Sequence, residues 1–212
     1  MNAAIGDLPL ERSIVLVGLM GSGKSAIGRR LAARIGTEFI DADNEIEKAA
    51  GLSINDIFEV HGEQAFRDGE RRVIARILSG PVHVLATGGG AFMDAETRKL
   101  VKQRGISVWL RAEFDVLLRR VSRRNNRPLL KGDNKEEVLR GLIEARYPTY
   151  GEADITVQSQ DGPHDETVNE VIAALKQFMQ NQPIDGEDAA SNDGEDAASN
   201  DGKDAASNDA AN

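Results

Sequence analysis

The sequence predicts an α/β fold of three layers, in which a five-stranded parallel sheet is flanked by helices. Two observations predict it. Five short apolar runs alternate with helical patterns along the chain, which is the signature of a parallel sheet covered on both faces. The first of these runs passes through a glycine-rich turn directly into a helical pattern, a strand–loop–helix unit.

That unit comes first. Residues Ser13 to Val17, SIVLV, form a β-branched apolar run of the kind a buried parallel strand shows. GLMGSGKS follows, and it fits G-x-x-x-x-G-K-[ST] at Gly18, Gly23, Lys24 and Ser25. Glycines there let the backbone turn tightly and point successive N–H groups into one concavity that holds anionic oxygens. The following helix adds its N-terminal dipole and unpaired N–H groups. Lys24 then reaches the β- and γ-phosphates of a nucleotide, and the Ser25 hydroxyl ligates Mg2+. Gly21, Ser22, Gly23, Lys24, Ser25 and Ala26 are thus the expected nucleoside-triphosphate contacts along the loop. Ile27, Leu31 and Ile35 repeat every fourth position, and Gly36 is placed to cap the helix over 24–35.

The second strand, Glu38–Ile40, leads into FIDAD. Its carboxylates, Asp41 and Asp43, lie at the end of a strand, where ligands bind in open α/β sheets. Residues two apart on an extended chain point the same way, so one carboxylate serves a metal and the other an acceptor hydroxyl. Capping of the next helix, over 44–50, by Asp43 or Asn44 fits the same spacing. Helices are expected over 53–60 and 63–78, the first capped by Ser53 with Asp56 three residues on. FRDGE, Phe66 to Glu70, sits in the second. Arg67 and Glu70 at i and i+3 make an intrahelical ion pair, or Arg67 binds a ligand carboxylate by its planar fork while Glu70 orients it.

Val82–Ala86 is the third strand, and TGGG, Thr87 to Gly90, comes directly after it. Three glycines permit close backbone approach to a small ligand. No aspartate ends this strand, which turns the metal-shell role toward Asp41. Asp94 caps a helix over 94–104, Ser107–Leu110 is the fourth strand with Trp109 in a packing role, and a helix covers 113–124. RRVSRRNNRPLLKGDN, Arg119 to Asn134, holds five arginines and a lysine without interleaved aromatics. It reads as a mobile lid whose arginines stabilise charge on the phosphoryl group in flight, with a solvated helix face the alternative for Arg119 and Arg123. A helix over 135–146 is expected to end at Pro148 of ARYPTY, which leaves Arg146 near its C-terminus. Asp154–Val157 is the fifth strand. A last helix follows Pro163, with Val168, Ile172, Leu175 and Met179 on one face.

Composition limits the partners. Nine of the 35 acids and one of the 26 bases fall in residues 181–212, an acidic tail built on the octad DGEDAASN. Residues 1–180 hold 26 acids against 25 bases, too neutral for a nucleic-acid-binding body. The octads hold no large apolar residue and are expected to be disordered. The chain has no cysteine, and its three histidines share no metal-ligand spacing, so all three read as ordinary surface or core residues. No segment reads as a leader or a membrane span. A cytoplasmic monomer is expected.

Taken together, GLMGSGKSAIGR, FIDAD, FRDGE, TGGG, NRPLL and ARYPTY resemble the shikimate kinase family in identity, order and spacing. The resemblance spans about residues 11–180, and leaves residues 1–10 as an N-terminal extension and 181–212 as the tail. It implies a P-loop kinase fold with strand order 2-3-1-4-5 and a lid over about 119–134. It implies ATP- and Mg2+-dependent phosphorylation of the 3-hydroxyl of shikimate, in aromatic amino-acid biosynthesis. Carried over by position, Asp43 meets the acceptor hydroxyls as general base, and Arg67 and Arg146 hold the carboxylate. Gly88, Gly89 and Gly90 line the ring, Phe58 and Phe66 form an apolar wall, and Glu70 steadies Arg67. Arg127 contacts the transferring phosphate, Arg120 lies against the adenine, and Ser25 with Asp41 completes the metal shell. A gluconate kinase of the same fold is the nearest rival. A regulatory nucleotide-binding module is the non-enzymatic one, with only NKEE at Asn134 to suggest a guanine-reading motif.

Overall fold

The computed structural model describes residues 4–5, 8–122 and 134–181. Arg127, the larger part of the expected lid (123–133) and the octads lie outside the described residues. Five parallel strands form one sheet: β1 (Ser13–Val17), β2 (Glu38–Asp41), β3 (His83–Ala86), β4 (Gly105–Arg111) and β5 (Ile155–Gln158). Their order is β2-β3-β1-β4-β5, the expected one. Seven α-helices accompany them among the described residues: α1 (Lys24–Ile35), α2 (Ala42–Ala50), α3 (Ile54–Leu78), α4 (Ala95–Arg104), α5 (Phe114–Ser122), α6 (Lys135–Tyr150) and α7 (His164–Gln180).

Strand β1 lies at the centre and is buried along its whole length, which explains its unbroken apolar run. Successive side chains leave it on opposite faces. Val15 and Val17 join a core with Ile74 of α3, Val101 of α4, Leu117 of α5 and Leu139 of α6. Ile14 and Leu16 join the other core, with Ile27 and Leu31 of α1 and Val168, Val171 and Leu175 of α7. Ile5 and Leu10 pack into that second core, beside a short antiparallel pair of Ala4–Ile5 with Leu8–Pro9.

The expected caps are present. Gly36 closes α1 with φ 69°, Ser53 accepts from the Asp56 N–H, and Asp94 accepts from the Thr97 N–H at 2.8 Å. The two helices expected over 53–60 and 63–78 are both present within α3, separated at Gly62, whose φ of 79° and ψ of 172° leave helical space.

Two expectations are corrected. Pro148 does not end α6, which runs on to Tyr150. The missing proline N–H removes one helical hydrogen bond. The last turn is held instead by burial of Tyr150, its stacking at 5.8 Å on Trp109, and the edge contact of Tyr147 with the same indole at 4.9 Å. The cap of α2 is Asp41, not Asp43 or Asn44: its Oδ1 accepts from the Asp43 N–H at 3.2 Å. Asp43 therefore lies in the first helical turn, and the extended-chain argument for two parallel carboxylates does not hold.

Candidate active site

The C-terminal ends of β1, β2 and β3 open into one cleft of about 1240 Å³. Its donor side is the loop between β1 and α1. Gly18, Gly21 and Gly23 have φ of 135°, 84° and 98°, backbone that side chains rarely adopt, so the turn requires them. Lys24 Nζ donates to the carbonyls of Gly18 at 2.7 Å and Leu19 at 3.0 Å. Gly21, Gly23, Lys24, Ser25 and Ala26 line the cleft, whereas Ser22 is buried beneath the loop.

Ser25 and Asp41 come from different elements, yet the serine hydroxyl donates to Asp41 Oδ2 at 2.7 Å. Asp41 pairs in register with Ala86, which puts its carboxylate beside the end of β3. A hydroxyl and a carboxylate in contact at the mouth of a phosphate loop are hard oxygen donors. They suit Mg2+, which binds through one or two protein oxygens and keeps waters and phosphate oxygens for the rest. Among the described residues no cluster of three or more ligating side chains exists that would hold a metal without substrate.

The acceptor side gathers α2, α3 and the turn after β3. Arg67 Nη1 donates to Glu70 Oε2 at 2.7 Å and Nη2 to Glu63 Oε1 at 3.3 Å, so the intrahelical ion pair exists and the guanidinium still borders the cleft. Burial disfavours the charge on Arg67, but the bonds to Glu70 and Glu63 outweigh it and raise its pKa. Glu70 is buried, and that burial pushes its carboxyl pKa up despite the Arg67 contact. Its second oxygen, Oε1, is buried without a protein partner.

Two of the three glycines of TGGG, Gly88 and Gly90, leave the room that these side chains occupy. A β-carbon on Gly88 would stand 2.7 Å from Glu70 Oε1 and 2.9 Å from Asp43 Oδ1. One on Gly90 would stand 2.7 Å from both terminal nitrogens of Arg67. Gly89 contributes its carbonyl, which accepts from Arg146 Nη1 at 2.8 Å and from the Tyr150 hydroxyl. The phenyl rings of Phe58 and Phe66 lie 4.6 Å apart, with Ile46 and Ile57 behind them, as an apolar wall.

Arg120 of α5 borders the donor side. Its Nη1 donates to the Gly21 carbonyl at 3.2 Å and to Ser159 Oγ at 3.0 Å, and its Nη2 donates to the Gln160 carbonyl. Burial lowers its pKa. The segment after β5 was not singled out from the sequence, yet Asp161, Gly162 and His164 line the cleft. His164 is therefore a half-buried residue at the rim of the cleft. Burial, then Arg30 and Arg120, lower its pKa. Tyr150 was also missed, although its position four after Arg146 puts both on one helix face. His83 is a core residue at the far end of β3, with Nδ1 against the Pro81 carbonyl at 2.7 Å. Trp109 is buried, as expected of a packing residue.

Comparison with known proteins agrees with this arrangement. The family model described as shikimate kinase matches residues 20–176. The shikimate kinase of Rhodopseudomonas palustris is 55% identical over 181 residues, 85% of this chain and 87% of that one. That of Caulobacter vibrioides is 58% identical over 166 residues, 78% of this chain and 83% of that one. The solved structure of shikimate kinase from Acinetobacter baumannii in complex with shikimate superposes with a TM-score of 0.75 at 41% identity, over 81% of this chain and 94% of that one. A phosphate loop facing an arginine held on the buried Glu70, at this level of identity over most of both chains, places the protein in the shikimate kinase family.

Proposed function

We infer that the protein transfers the γ-phosphoryl group of ATP to the 3-hydroxyl of shikimate, releasing ADP and shikimate 3-phosphate, a step toward chorismate and the aromatic amino acids. The observation that carries the reading at this site is the meeting of Arg67, Glu70, Asp43 and the turn Gly88–Gly90 opposite the loop that holds Lys24.

A small acid with several hydroxyls needs a guanidinium at one end and a carboxylate at the other. Arg67, held by Glu70 and Glu63, and Arg146, held on the Gly89 carbonyl, take the carboxylate. Their rotamers are already locked, so less freedom is lost on binding. Phe58 and Phe66 cover the ring, and the Gly88–Gly90 backbone lies along it. Asp43 orients the acceptor hydroxyl and receives its proton as the new O–P bond forms. In a loose transition state that proton leaves late, so positioning is the larger part of its work. Lys24 and the backbone N–H groups of the loop stabilise charge on the phosphates, and Arg120 borders the base. Ser25 and Asp41 would hold Mg2+, which supplies charge neutralisation on the phosphate oxygens. Arg127, outside the described residues, is assigned to the transferring phosphate by the resemblance alone. Two small, water-soluble substrates suit a cytoplasmic monomer, and gel filtration checks the oligomeric state.

The deciding experiment is a coupled ADP-release assay with ATP, MgCl2 and a panel of acceptors. Turnover with shikimate and little with gluconate or AMP is expected. Equal turnover with gluconate or AMP overturns the reading.

A further inference from the structure

Ser159 is the first residue after β5, and it lies under the phosphate loop, 1% exposed. Its N–H donates to the Arg111 carbonyl at 2.6 Å, which extends the β4–β5 ladder and fixes its backbone. Its hydroxyl donates to the Ser22 carbonyl at 2.8 Å and accepts from Arg120 Nη1 at 3.0 Å. Arg120 Nη1 also donates to the neighbouring Gly21 carbonyl at 3.2 Å. One hydroxyl–guanidinium pair thus holds two successive carbonyls of the loop.

We propose that Ser159 is a positioning residue for ATP, which pins the Ser22 carbonyl beneath the loop and so aims the Gly23 N–H into the phosphate cradle. The reason is peptide geometry. Across a planar trans peptide the C=O of one residue and the N–H of the next point in opposite directions, and the protein has no cis peptide among its described residues. The Ser22 carbonyl points down to a buried hydroxyl, so the Gly23 N–H points up, and Gly23 lines the cleft where Ser22 does not. The same rule holds one peptide earlier. With the Gly21 carbonyl tied to Arg120, the Ser22 N–H is turned the other way and donates to the Leu19 carbonyl at 3.2 Å. A loop amide aimed in advance costs no reorganisation when phosphate arrives. Alanine at 159 would leave the Ser22 carbonyl and the Arg120 nitrogen each short of a partner and release that peptide to rotate.

The proposal rests on the kinase reading for its substrate, but its test does not need the acceptor. ADP binding in the presence of MgCl2, measured by calorimetry, is compared between the full chain, Ser159→Ala and Ser159→Cys, alongside KM for ATP, KM for shikimate and the melting temperature. For Ser159→Ala, an affinity for ADP weaker by about tenfold is expected, with KM for ATP raised to match and KM for shikimate changed by less than about twofold. Ser159→Cys keeps the size with a weak donor, and a loss of about threefold is expected. ADP affinity within about twofold of the unaltered chain in a folded variant, or equal rises in both KM values, overturns the proposal in favour of simple packing. If alanine does not fold, the cysteine variant decides by the same criteria. If neither folds, Ser159 is a folding residue and the proposal fails. An unaltered chain that binds ADP but ignores shikimate defeats the kinase reading and leaves this comparison intact.

Discussion

The guanidinium of Arg67 fills the space that a β-carbon on Gly90 would need, with Nη1 and Nη2 each 2.7 Å from that point. The third glycine of the turn after β3 is therefore part of the arginine's seat. Glu70 and Asp43 stand in the same relation to Gly88, so a single turn makes room for three charged side chains of α2 and α3.

Gly90→Ala should displace Arg67 while leaving the donor loop alone. KM for shikimate is expected to rise by at least about tenfold, with KM for ATP changed by less than about twofold. Steady-state kinetics with each substrate varied in turn checks this. Equal damage to both would mean that the turn supports the fold and not the arginine.

Asp41 serves both Ser25 and the α2 cap, and these two roles separate in Asp41→Asn. Asparagine caps a helix about as well as aspartate, so the melting temperature should hold. The Mg2+ concentration for half-maximal activity should rise by about tenfold, the usual cost of a weakened metal shell. A magnesium titration of the initial rate reads it; an unchanged midpoint removes Asp41 from the metal shell.

Asp43 does not carry the cap of α2, so its carboxylate can be neutralised with little cost to the helix. Asp43→Asn is expected to lower kcat by roughly 10²–10⁴-fold, the range for lost acid–base help. Circular dichroism should show an unchanged fold. Turnover near that of the unaltered chain would leave Asp43 without a role in proton transfer.

Glu70 is expected to show in the pH dependence of stability. Burial raises its carboxyl pKa, with Arg67 acting against the shift. A group whose folded pKa lies above its unfolded one contributes stability while protonated and loses it as pH rises through the folded value. Glutamine mimics the protonated acid. The melting temperature of Glu70→Gln should match the unaltered chain near about pH 4 and exceed it increasingly toward about pH 8. KM for shikimate should rise at the same time, because Arg67 loses its charged partner. A melting difference that shrinks with rising pH would refute the assignment.

The donor side was legible in the sequence because its information is local. A buried strand, three glycines in strained backbone and a helix with apolar residues four apart lie within consecutive residues, and the same physics that writes the pattern builds the site. Helix caps at Ser53 and Asp94 were readable for the same reason. The acceptor residues were visible as short motifs, but the motifs left two readings open at Asp43 and at Arg67. At Arg67 the ion pair with Glu70 is present and leaves the residue at the edge of the cleft, so the pair does not compete with the ligand-binding role proposed for it. The three-glycine turn looked like room for a ligand, while its crowding comes from side chains on α2 and α3.

What the sequence determined by itself is the alternation of strands and helices, the phosphate loop and the set of residue types the chemistry needs. Tertiary structure decided their relations. Ser25 finds Asp41 across two elements, α6 continues past Pro148 because Tyr147 and Tyr150 bury against Trp109, and Ser159 reaches Ser22 from 137 residues away. A hydrogen bond between such distant positions leaves no periodicity, spacing or cap to read. It exists only because parallel pairing of β1, β4 and β5 brings their C-terminal ends to one edge of the sheet.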